Sequence, residues 1–390
     1  MRKISPLPGP VAECCAALRR AGFSAYPVGG GVRDLLLGRI PQDWDVATSA
    51  LPDQVLALFP GAAPTGLPHG TVTLPADSGP IEVTTFRREM GYSDGRRPDG
   101  VSFGVSLEED LARRDFTVNA MALAPDGSVI DPFGGLGDLE AGVLRCVGDP
   151  VQRFSEDRLR LFRALRFAAQ LGFALDASVA EALARAPSTA PLAAERVGAE
   201  VEKTLCSPRP AWVGEMLRLG LLIPWLGDAR ADTAPLAALP AQPLPRWAGL
   251  AALVDNGALP EKLRRPGAVS RAVAAGLDLL HAGLPEDERQ WRHALARHGP
   301  DCCRSAASMA MALGDEEPGH VLESTLAAHP CLTAKNLALS GGDLAALGLS
   351  GPDIGKAQAR LLEYVLDRPE DNHQEVLRAL LDRLFPQDGD

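Results

Sequence analysis

The segment Val28-Gly29-Gly30-Gly31-Val32-Arg33-Asp34 and the segment Asp43-Trp44-Asp45-Val46 that follows it decide the fold of the N-terminal region. A glycine cluster ahead of a helical pattern lets the backbone approach a phosphate closely and directs N–H groups at it, and Arg33 adds positive charge. An ordinary strand-to-helix turn has the same glycines. The first segment therefore predicts a turn between a strand and a helix, with Gly29, Gly30 and Arg33 as candidate phosphate contacts.

Two aspartates flank a tryptophan in the second segment. Alternate residues of a strand face the same way, so Asp43 and Asp45 would project two carboxylates from one face while Trp44 and Val46 turn toward the core. Mg²⁺ prefers carboxylate oxygens together with water and phosphate oxygens, and two such ions can clamp both oxygens of a phosphoryl displacement. An isolated Asp pair is more typical of a solvated turn. The glycine–arginine element directly upstream favours the metal site.

A third acidic residue, Glu82, lies between Ile81 and Val83 in a predicted strand. If that strand pairs beside the one that carries Asp45, Glu82 joins the acidic cluster. Otherwise it is an outward-facing residue on a half-buried strand, and the sequence leaves both possibilities open. His69 has no His or Cys partner at ligand spacing, so we predict a structural role for it.

A helix is predicted to begin near Ser155, which would be its N-cap, with acidic residues in the first turn. Neighbours three residues apart on a helix share one side, and apolar residues can bury the other side. The alternative is a solvated charged face, in which the arginines repel one another unless anions or acids compensate them. The predicted polar strip consists of Asp157, Arg160, Arg163 and Arg166, and the apolar side of Phe162, Leu165 and Ala169.

The wider pattern divides the chain at about residue 145. Before that point, short alternating runs such as Thr71–Leu74 and Ile81–Phe86 are separated by Gly and Pro breakers, which predicts a small sheet with helices. From about Pro150 onward, strand signals almost vanish and apolar residues recur at helical spacing. A proline-rich stretch, residues 235–245, is predicted to be a loop or subdomain joint. The predicted fold class is α+β.

Composition bounds the function. The chain has 390 residues, 46% hydrophobic and 23% charged, and no run approaches the ~18 apolar residues of a membrane span. The N-terminus does not have the pattern of a secretory signal, so we expect a cytoplasmic protein with no membrane partner. Seven cysteines without a Cys-x-x-Cys pair predict reduced, partly buried thiols rather than disulfides or structural zinc.

The net charge of −11 argues against bulk electrostatic coating of nucleic acid. Most basic residues are arginines, however, and they cluster in residues 87–114 and 153–166. A GC-rich genome can explain an arginine bias but not this clustering. The sequence therefore predicts local basic patches on an acidic chain.

Together, the Gly29–Asp34 element, Asp43-Trp44-Asp45 and Glu82 resemble the active-site signature of the DNA polymerase β-like nucleotidyltransferase superfamily. Within it, the sequence is similar to tRNA nucleotidyltransferases (CCA-adding enzymes) of class II, in the poly(A) polymerase / tRNA nucleotidyltransferase family. The likeness spans nearly the whole chain. It continues in Arg113–Ala122, Asp131–Gly135, Glu156–Arg160, Glu195–Val197, Gly341–Leu344 and Gly351–Gly355.

The resemblance implies four regions. Residues 1–145 would form a polymerase-β-like nucleotidyltransferase head with a small sheet and flanking helices. An all-helical neck that recognises the nucleotide base (146–210), an RNA-binding body (211–330) and a tRNA-binding tail (331–390) would follow. The implied reaction is template-independent addition of nucleotides from CTP and ATP to the 3′ end of tRNA, with release of pyrophosphate.

The resemblance also implies residue roles. Asp43 and Asp45 would be catalytic and hold Mg²⁺, with Glu82 as a possible third catalytic acid. The implied nucleotide-binding residues are Gly29, Gly30, Arg33, Arg114, Asp157, Arg160, Arg163 and Arg166. Cytosine and adenine share an amino donor beside a ring-nitrogen acceptor, whereas a carboxylate only accepts and a guanidinium only donates. Asp157 and Arg160 would therefore select C and A over U and G.

The motifs of the sequence also bear on the alternative functions. The segment from Thr85 to Leu111 appears full length, which disfavours an enzyme that adds only the two cytidines but does not separate complete CCA addition from addition of the final A. A bacterial poly(A) polymerase is disfavoured because the chain has no Gly-Arg-Arg-Phe-Arg-Leu-like stretch and no basic tail. The intact Arg33, Asp43 and Asp45 disfavour a non-catalytic RNA-binding relative. The oligomeric state is open.

Overall fold

The computed structural model describes residues 7–77, 79–91, 100–190 and 192–384. The chain divides into two compact units, one of residues 1–204 and 215–224 and the other of residues 205–214 and 225–390. The four regions predicted from the sequence are a finer division and stay a prediction. Arg96 and Arg97 of the first arginine cluster lie outside the described residues.

In the first unit, strands and helices alternate up to residue 144, and helices predominate after it. The elements are α1 Gly9–Arg20, β1 Ala25–Val28, α2 Gly30–Leu36, β2 Trp44–Thr48, α3 Pro52–Leu58, β3 Ala63–Gly66, β4 Thr71–Leu74, β5 Ile81–Thr85, β6 Arg87–Met90, β7 Gly100–Phe103, α4 Leu107–Ala112, β8 Ala122–Leu123, β9 Val129–Ile130, α5 Gly135–Ala141, β10 Val143–Leu144, α6 Pro150–Glu156, α7 Leu159–Leu171, β11 Ala174–Leu175, α8 Ala177–Ala184 and α9 Ala194–Leu205.

The main sheet of the described residues has seven strands in the order β3-β4-β5-β2-β1-β8-β9. Strands β2 and β5 are parallel, and the other neighbours are antiparallel. Trp44 and Val46 of β2 are buried with Val83 of β5 in a core that α1 covers with Val11 and Leu18. The intervening residues of β2 and β5 face the opposite side of the sheet, as the two-residue period of a strand requires. The predicted orientation of Trp44 and Val46 is confirmed.

The predicted helix start at Ser155 is wrong. Helix α6 begins at Pro150 with Asp149 as its N-cap, and Ser155 lies inside it with its hydroxyl donating to the Gln152 carbonyl. The chain then becomes extended at Asp157, with φ −134° and ψ 104°, before α7 begins at Leu159. Capping propensity favoured Ser155, but Asp149 followed by Pro150 is a helix start of equal strength.

The remaining helices are α10 Val213–Arg218, α11 Ile223–Leu226, α12 Pro243–Leu253, α13 Leu259–Lys262, α14 Gly267–Ala282, α15 Glu288–His298, α16 Pro300–Ala312, α17 Glu317–Ala327, α18 Gly341–Ala346, α19 Pro352–Asp367 and α20 Gln374–Leu384. The helical content expected beyond Pro150 is confirmed, except for the short strand β11, which pairs with β10. The proline-rich stretch is only partly a loop, because Pro243 and Pro245 lie in the first turn of α12. Leu344, Leu361 and Leu377 pack the last three helices into one core.

Within the described part of the chain, no helix is long and apolar enough to cross a membrane.

Candidate active site

A cleft of about 850 Å³ in the first unit opens on the polar face of the sheet. Helices α2, α7 and α9 contribute residues to its lining, as do strands β2, β4 and β5. The cleft brings together all of the site residues expected from the sequence. These are Gly29, Gly30, Arg33, Asp43, Asp45, Glu82, Arg114, Asp157, Arg160, Arg163 and Arg166.

Three carboxylates form an acidic end of this cleft. Asp45 and Glu82 are register partners on the parallel strands β2 and β5, so their side chains leave the same face of the sheet. Asp43 precedes β2 by one residue and lines the same cleft. The sequence left open whether the strand of Glu82 pairs beside the strand of Asp45. The two strands are direct neighbours, so Glu82 joins the acidic cluster.

The crowding of carboxylates at the acidic end contributes to raised pKa values of Asp45 and Glu82. Burial raises the pKa of Asp45, and the carboxylate of Asp43 raises it further, while the guanidinium of Arg114 opposes the rise. Burial and then the two aspartates raise the pKa of Glu82. Such a cluster fits a divalent cation, because a cation relieves the mutual repulsion. Among the described residues, no group of three His, Cys, Asp or Glu side chains is arranged as a ready-made metal site, so water and substrate oxygens would have to complete the coordination.

Gly29 lets two charged groups approach the backbone. Its φ of 74° and ψ of −140° lie in a backbone region that residues with a side chain rarely adopt. A Cβ at this position would lie 2.7 Å from Nη1 of Arg114 and 3.1 Å from Oδ2 of Asp45. The N–H of Gly29 donates to the Met121 carbonyl at 3.3 Å.

Arg33 is buried at the edge of the cleft. Its Nη1 donates to Oδ1 of Asn119 at 2.6 Å, and its Nη2 lies 2.8 Å from Oδ1 of Asp34. The amide of Asn119 in turn donates to Asp115 at 3.2 Å. Arg33 is thus held in one orientation by partners on both sides, which pre-organises it for an anion in the cleft.

The arginines of α7 are each paired with an acid. Arg163 contacts Oδ2 of Asp115 at 2.6 Å, and Arg166 contacts Oε2 of Glu200 at 2.5 Å. Arg160 contacts Oε2 of Glu156 at 2.7 Å. The possibility that acids compensate this strip is therefore confirmed. Asp115 lies in the loop after α4 and Glu200 in α9, which explains why spacing within the helix did not reveal these two acids, whereas Glu156 precedes Arg160 by only four residues.

Asp115 is the most strongly perturbed of these acids. Burial alone would raise its pKa, but the guanidinium groups of Arg163 and Arg160 and hydrogen bonds from Arg163 and Asn119 hold the pKa down at about 2. The carboxylate is therefore ionised at any physiological pH, and it fixes Arg163 at the wall of the cleft.

Asp157 lies at the break between α6 and α7. Its Oδ1 accepts from the N–H of Leu159 at 3.0 Å, and its Oδ2 lies 3.3 Å from Nη2 of Arg196. Arg160, which is 8% exposed, also donates to the carbonyl of Arg113 at 3.1 Å. Both side chains predicted to select the base line the cleft, each oriented by partners that the sequence pattern did not indicate.

Sequence reasoning missed several residues of the cleft lining. His69, for which a structural role was predicted, is exposed and lines the cleft. Arg196 could have been found, since it belongs to the Glu195–Val197 motif. Asn119 likewise belongs to the Arg113–Ala122 motif, whereas nothing in the sequence marked Lys203 or Phe167, which the tertiary fold brings to the cleft.

Comparison with known proteins gives the family. Residues 25–145 match the family described as the Poly A polymerase head domain. The chain is 39% identical over 381 residues to the CCA-adding enzyme of Lactiplantibacillus plantarum, covering 92% of each sequence. It is 38% identical to the CCA-adding enzyme of Geobacillus kaustophilus, covering 93% of this chain and 94% of that one.

The chain belongs to the family of CCA-adding enzymes.

The solved structure of the Bacillus stearothermophilus CCA-adding enzyme in complex with CTP agrees with this assignment. It is 33% identical, has a TM-score of 0.78 and covers 97% of this chain and 98% of that one. The predicted α+β fold with a polymerase-β-like head is thereby confirmed, as is the prediction of an enzyme of the tRNA nucleotidyltransferase class. Nucleotidyltransferases of this family use divalent metal ions.

Proposed function

We propose that this CCA-adding enzyme transfers nucleotides from CTP and ATP to the 3′ end of tRNA and completes the CCA sequence, with Mg²⁺ as its metal ion. One observation carries the proposal: a single cleft has an acidic end of Asp43, Asp45 and Glu82 and a wall of arginines. A triphosphate needs both, because the metal ions bind its oxygens from one side and guanidinium groups neutralise it from the other. The relative from Bacillus stearothermophilus binds CTP, which agrees with this use of the cleft.

The carboxylates of Asp43 and Asp45 fit Mg²⁺, since hard oxygen donors project together from one face of the sheet. When bound, the metal ions lower the pKa of the attacking hydroxyl and stabilise the leaving group. In the reaction, the 3′ oxygen of tRNA forms a bond to the α-phosphorus, the bond from that phosphorus to its bridging oxygen breaks, and pyrophosphate leaves. The hydroxyl proton passes to solvent.

The residues of this chain position the triphosphate. Arg33, held by Asn119 and Asp34, and Arg114, beside Asp45, contribute positive charge next to the acidic end. Because these groups are fixed before the substrate arrives, they need little reorganisation in the transition state.

Base selection belongs to Asp157 and Arg160. The carboxylate of Asp157 has acceptor capacity beyond the Leu159 and Arg196 contacts, and it accepts the amino proton that cytosine and adenine share. Arg160 donates to the ring nitrogen beside that amino group. Uracil and guanine present the reverse pattern and leave buried groups unpaired, which can cost a factor of up to ~10⁴.

The helical regions would divide the remaining contacts. Residues 146–210 would recognise the base of the incoming nucleotide, and residues 211–330 and 331–390 would hold the acceptor arm of the tRNA. Duplex RNA offers side chains little sequence to contact, so recognition by shape and phosphate is expected. The CCA-adding enzyme of Thermotoga maritima, which shares the fold, has been solved in complex with tRNA.

Addition of only the terminal A is the second candidate. The segment from Thr85 to Leu111 does not separate it from complete CCA addition, and residues 92–99 of that segment lie outside the described residues. The direct test incubates the purified protein and Mg²⁺ with tRNA transcripts that end before CCA, after C and after CC, with each nucleotide separately and with CTP and ATP together. Extension of all three transcripts to CCA supports the proposal. Extension of only the CC-ended transcript identifies an A-adding enzyme, and long A tails a poly(A) polymerase.

Two variants test the residue roles. Asp43→Ala combined with Asp45→Ala should abolish extension, and persistent extension would refute the metal assignment. Asp157→Ala should lose the preference for CTP and ATP over UTP and GTP. Asp149→Ala is the matched control, because it removes a carboxylate from the N-cap of α6 outside the cleft lining and should leave the preference intact. An unchanged preference in Asp157→Ala would refute base selection by this residue.

A further inference from the structure

Phe167 stands apart from the other residues of the cleft lining, because it is apolar, buried and surrounded by guanidinium groups. The Cζ atoms of Arg33, Arg163 and Arg166 lie 5.1, 5.3 and 3.9 Å from the centroid of its ring. The side chain lines the cleft, yet the residue is only 5% exposed.

The ring also has a fixed orientation. Phe116 forms a T-shaped pair with it, with centroids 5.6 Å apart and ring planes at 80°. This contact helps to hold the ring in place. Arg33 comes from α2, whereas Arg163 and Arg166 come from α7, so one ring contacts arginines of two separate helices.

We infer that Phe167 is a positioning residue for the triphosphate, acting through the arginines that it contacts. Like charges brought this close repel one another, and an attractive ring face between them lowers the free energy of the converged arrangement. Two of these arginines also form ion pairs with acids, Arg163 with Asp115 and Arg166 with Glu200. The ring provides the contact that the three arginines share. The inference rests on the proposed function, because it takes the guanidinium groups to bind a nucleotide triphosphate.

The test changes the electron density of the ring while nearly keeping its shape. Mono-, di- and trifluorophenylalanine are placed at position 167 of the full chain, and the dissociation constant for inorganic tripolyphosphate is measured by calorimetry without metal. Each fluorine weakens the cation–π attraction. We expect the affinity to fall stepwise across the series, by about tenfold in total, and the melting temperature to fall by only a few degrees.

Phe162 provides the matched control. It lies on the same helix, is fully buried, and contacts none of these arginines in a cation–π pair. The same fluorine series at position 162 should leave tripolyphosphate affinity unchanged. Phe167→Leu and Phe162→Leu extend the comparison: both should lower the melting temperature, but only the change at 167 should raise the KM for CTP and for ATP.

A flat affinity across the series at position 167, or an equal fall at position 162, overturns the inference. If this happens while the unmodified protein extends tRNA, the proposed function stands and only the role of Phe167 is lost. If the unmodified protein binds no tripolyphosphate, the arginines are not a phosphate site, and the inference fails with that part of the proposed function.

Discussion

Substitution of Gly29 by alanine tests how closely the backbone must approach the acidic end of the cleft. The added Cβ would lie 2.7 Å from Nη1 of Arg114 and 3.1 Å from Oδ2 of Asp45. Both groups would have to move by several tenths of an ångström. The positive φ of 74° adds a backbone strain of about 1–3 kcal/mol.

The two effects have different consequences. The strain lowers the free energy of unfolding, which corresponds to about 2–4 °C of melting temperature per kcal/mol for a unit of this size. Displacement of a carboxylate proposed to hold metal ions affects the reaction much more, because a misplacement of about 1 Å can cost roughly 100-fold in rate. For a shift of several tenths of an ångström, we expect kcat/KM for CTP addition to fall by about tenfold.

Gly38→Ala separates strain from displacement. Gly38 has a nearly equal φ of 71°, but nothing lies within 4 Å of a Cβ added there. This variant should lose about 1 kcal/mol of stability and keep its activity. Single-nucleotide extension of tRNA and thermal unfolding, measured on both variants, complete the assay. If Gly29→Ala retained activity within about threefold of the wild type, the inferred close approach of Asp45 and Arg114 would be refuted.

Two further predictions concern the acids that hold the arginines. Because the pKa of Asp115 is about 2 in the folded protein, below its ordinary value, this group stabilises the fold above about pH 4 and loses that contribution, about 2 kcal/mol, as the pH falls toward 2. Urea unfolding should show that loss in the wild type and not in Asp115→Asn, and equal pH slopes would contradict the assignment. Glu200→Ala leaves the buried Arg166 without its carboxylate and should lower the free energy of unfolding by about 3–5 kcal/mol. Glu200→Gln should recover part of this loss. A loss below about 1 kcal/mol in denaturant unfolding would show that the pair is not essential to stability.

The acidic end of the cleft was largely predictable from the sequence. Asp43 and Asp45 follow a two-residue period, and a strand converts that period directly into a shared face. Trp44 is buried on the other face for the same reason. The sequence identified Glu82 as a candidate but could not place it in the acidic cluster, because only the parallel pairing of β2 with β5 brings it beside Asp45.

The helical wall was predicted less completely. The three-residue spacing of Arg160, Arg163 and Arg166 correctly placed them on one side of a helix, and all three line the cleft. The predicted start of that helix was wrong: α7 begins at Leu159, whereas Ser155 lies inside the preceding helix α6, which Asp149 caps. Local sequence did not indicate the extended residue Asp157 between the two helices.

The sequence by itself determined which residues are the candidates for the chemistry, because carboxylates, glycines and arginines recur at spacings that strands and helices convert into common faces. Only the tertiary structure decided how those residues are held. The net charge of −11 did not reveal that the buried arginines are matched by acids distant in sequence, such as Asp115 and Glu200, or that Phe167 gathers three guanidinium groups. The physical reason is that burial of a charge requires a partner in space, and no local pattern specifies which distant residue will supply it.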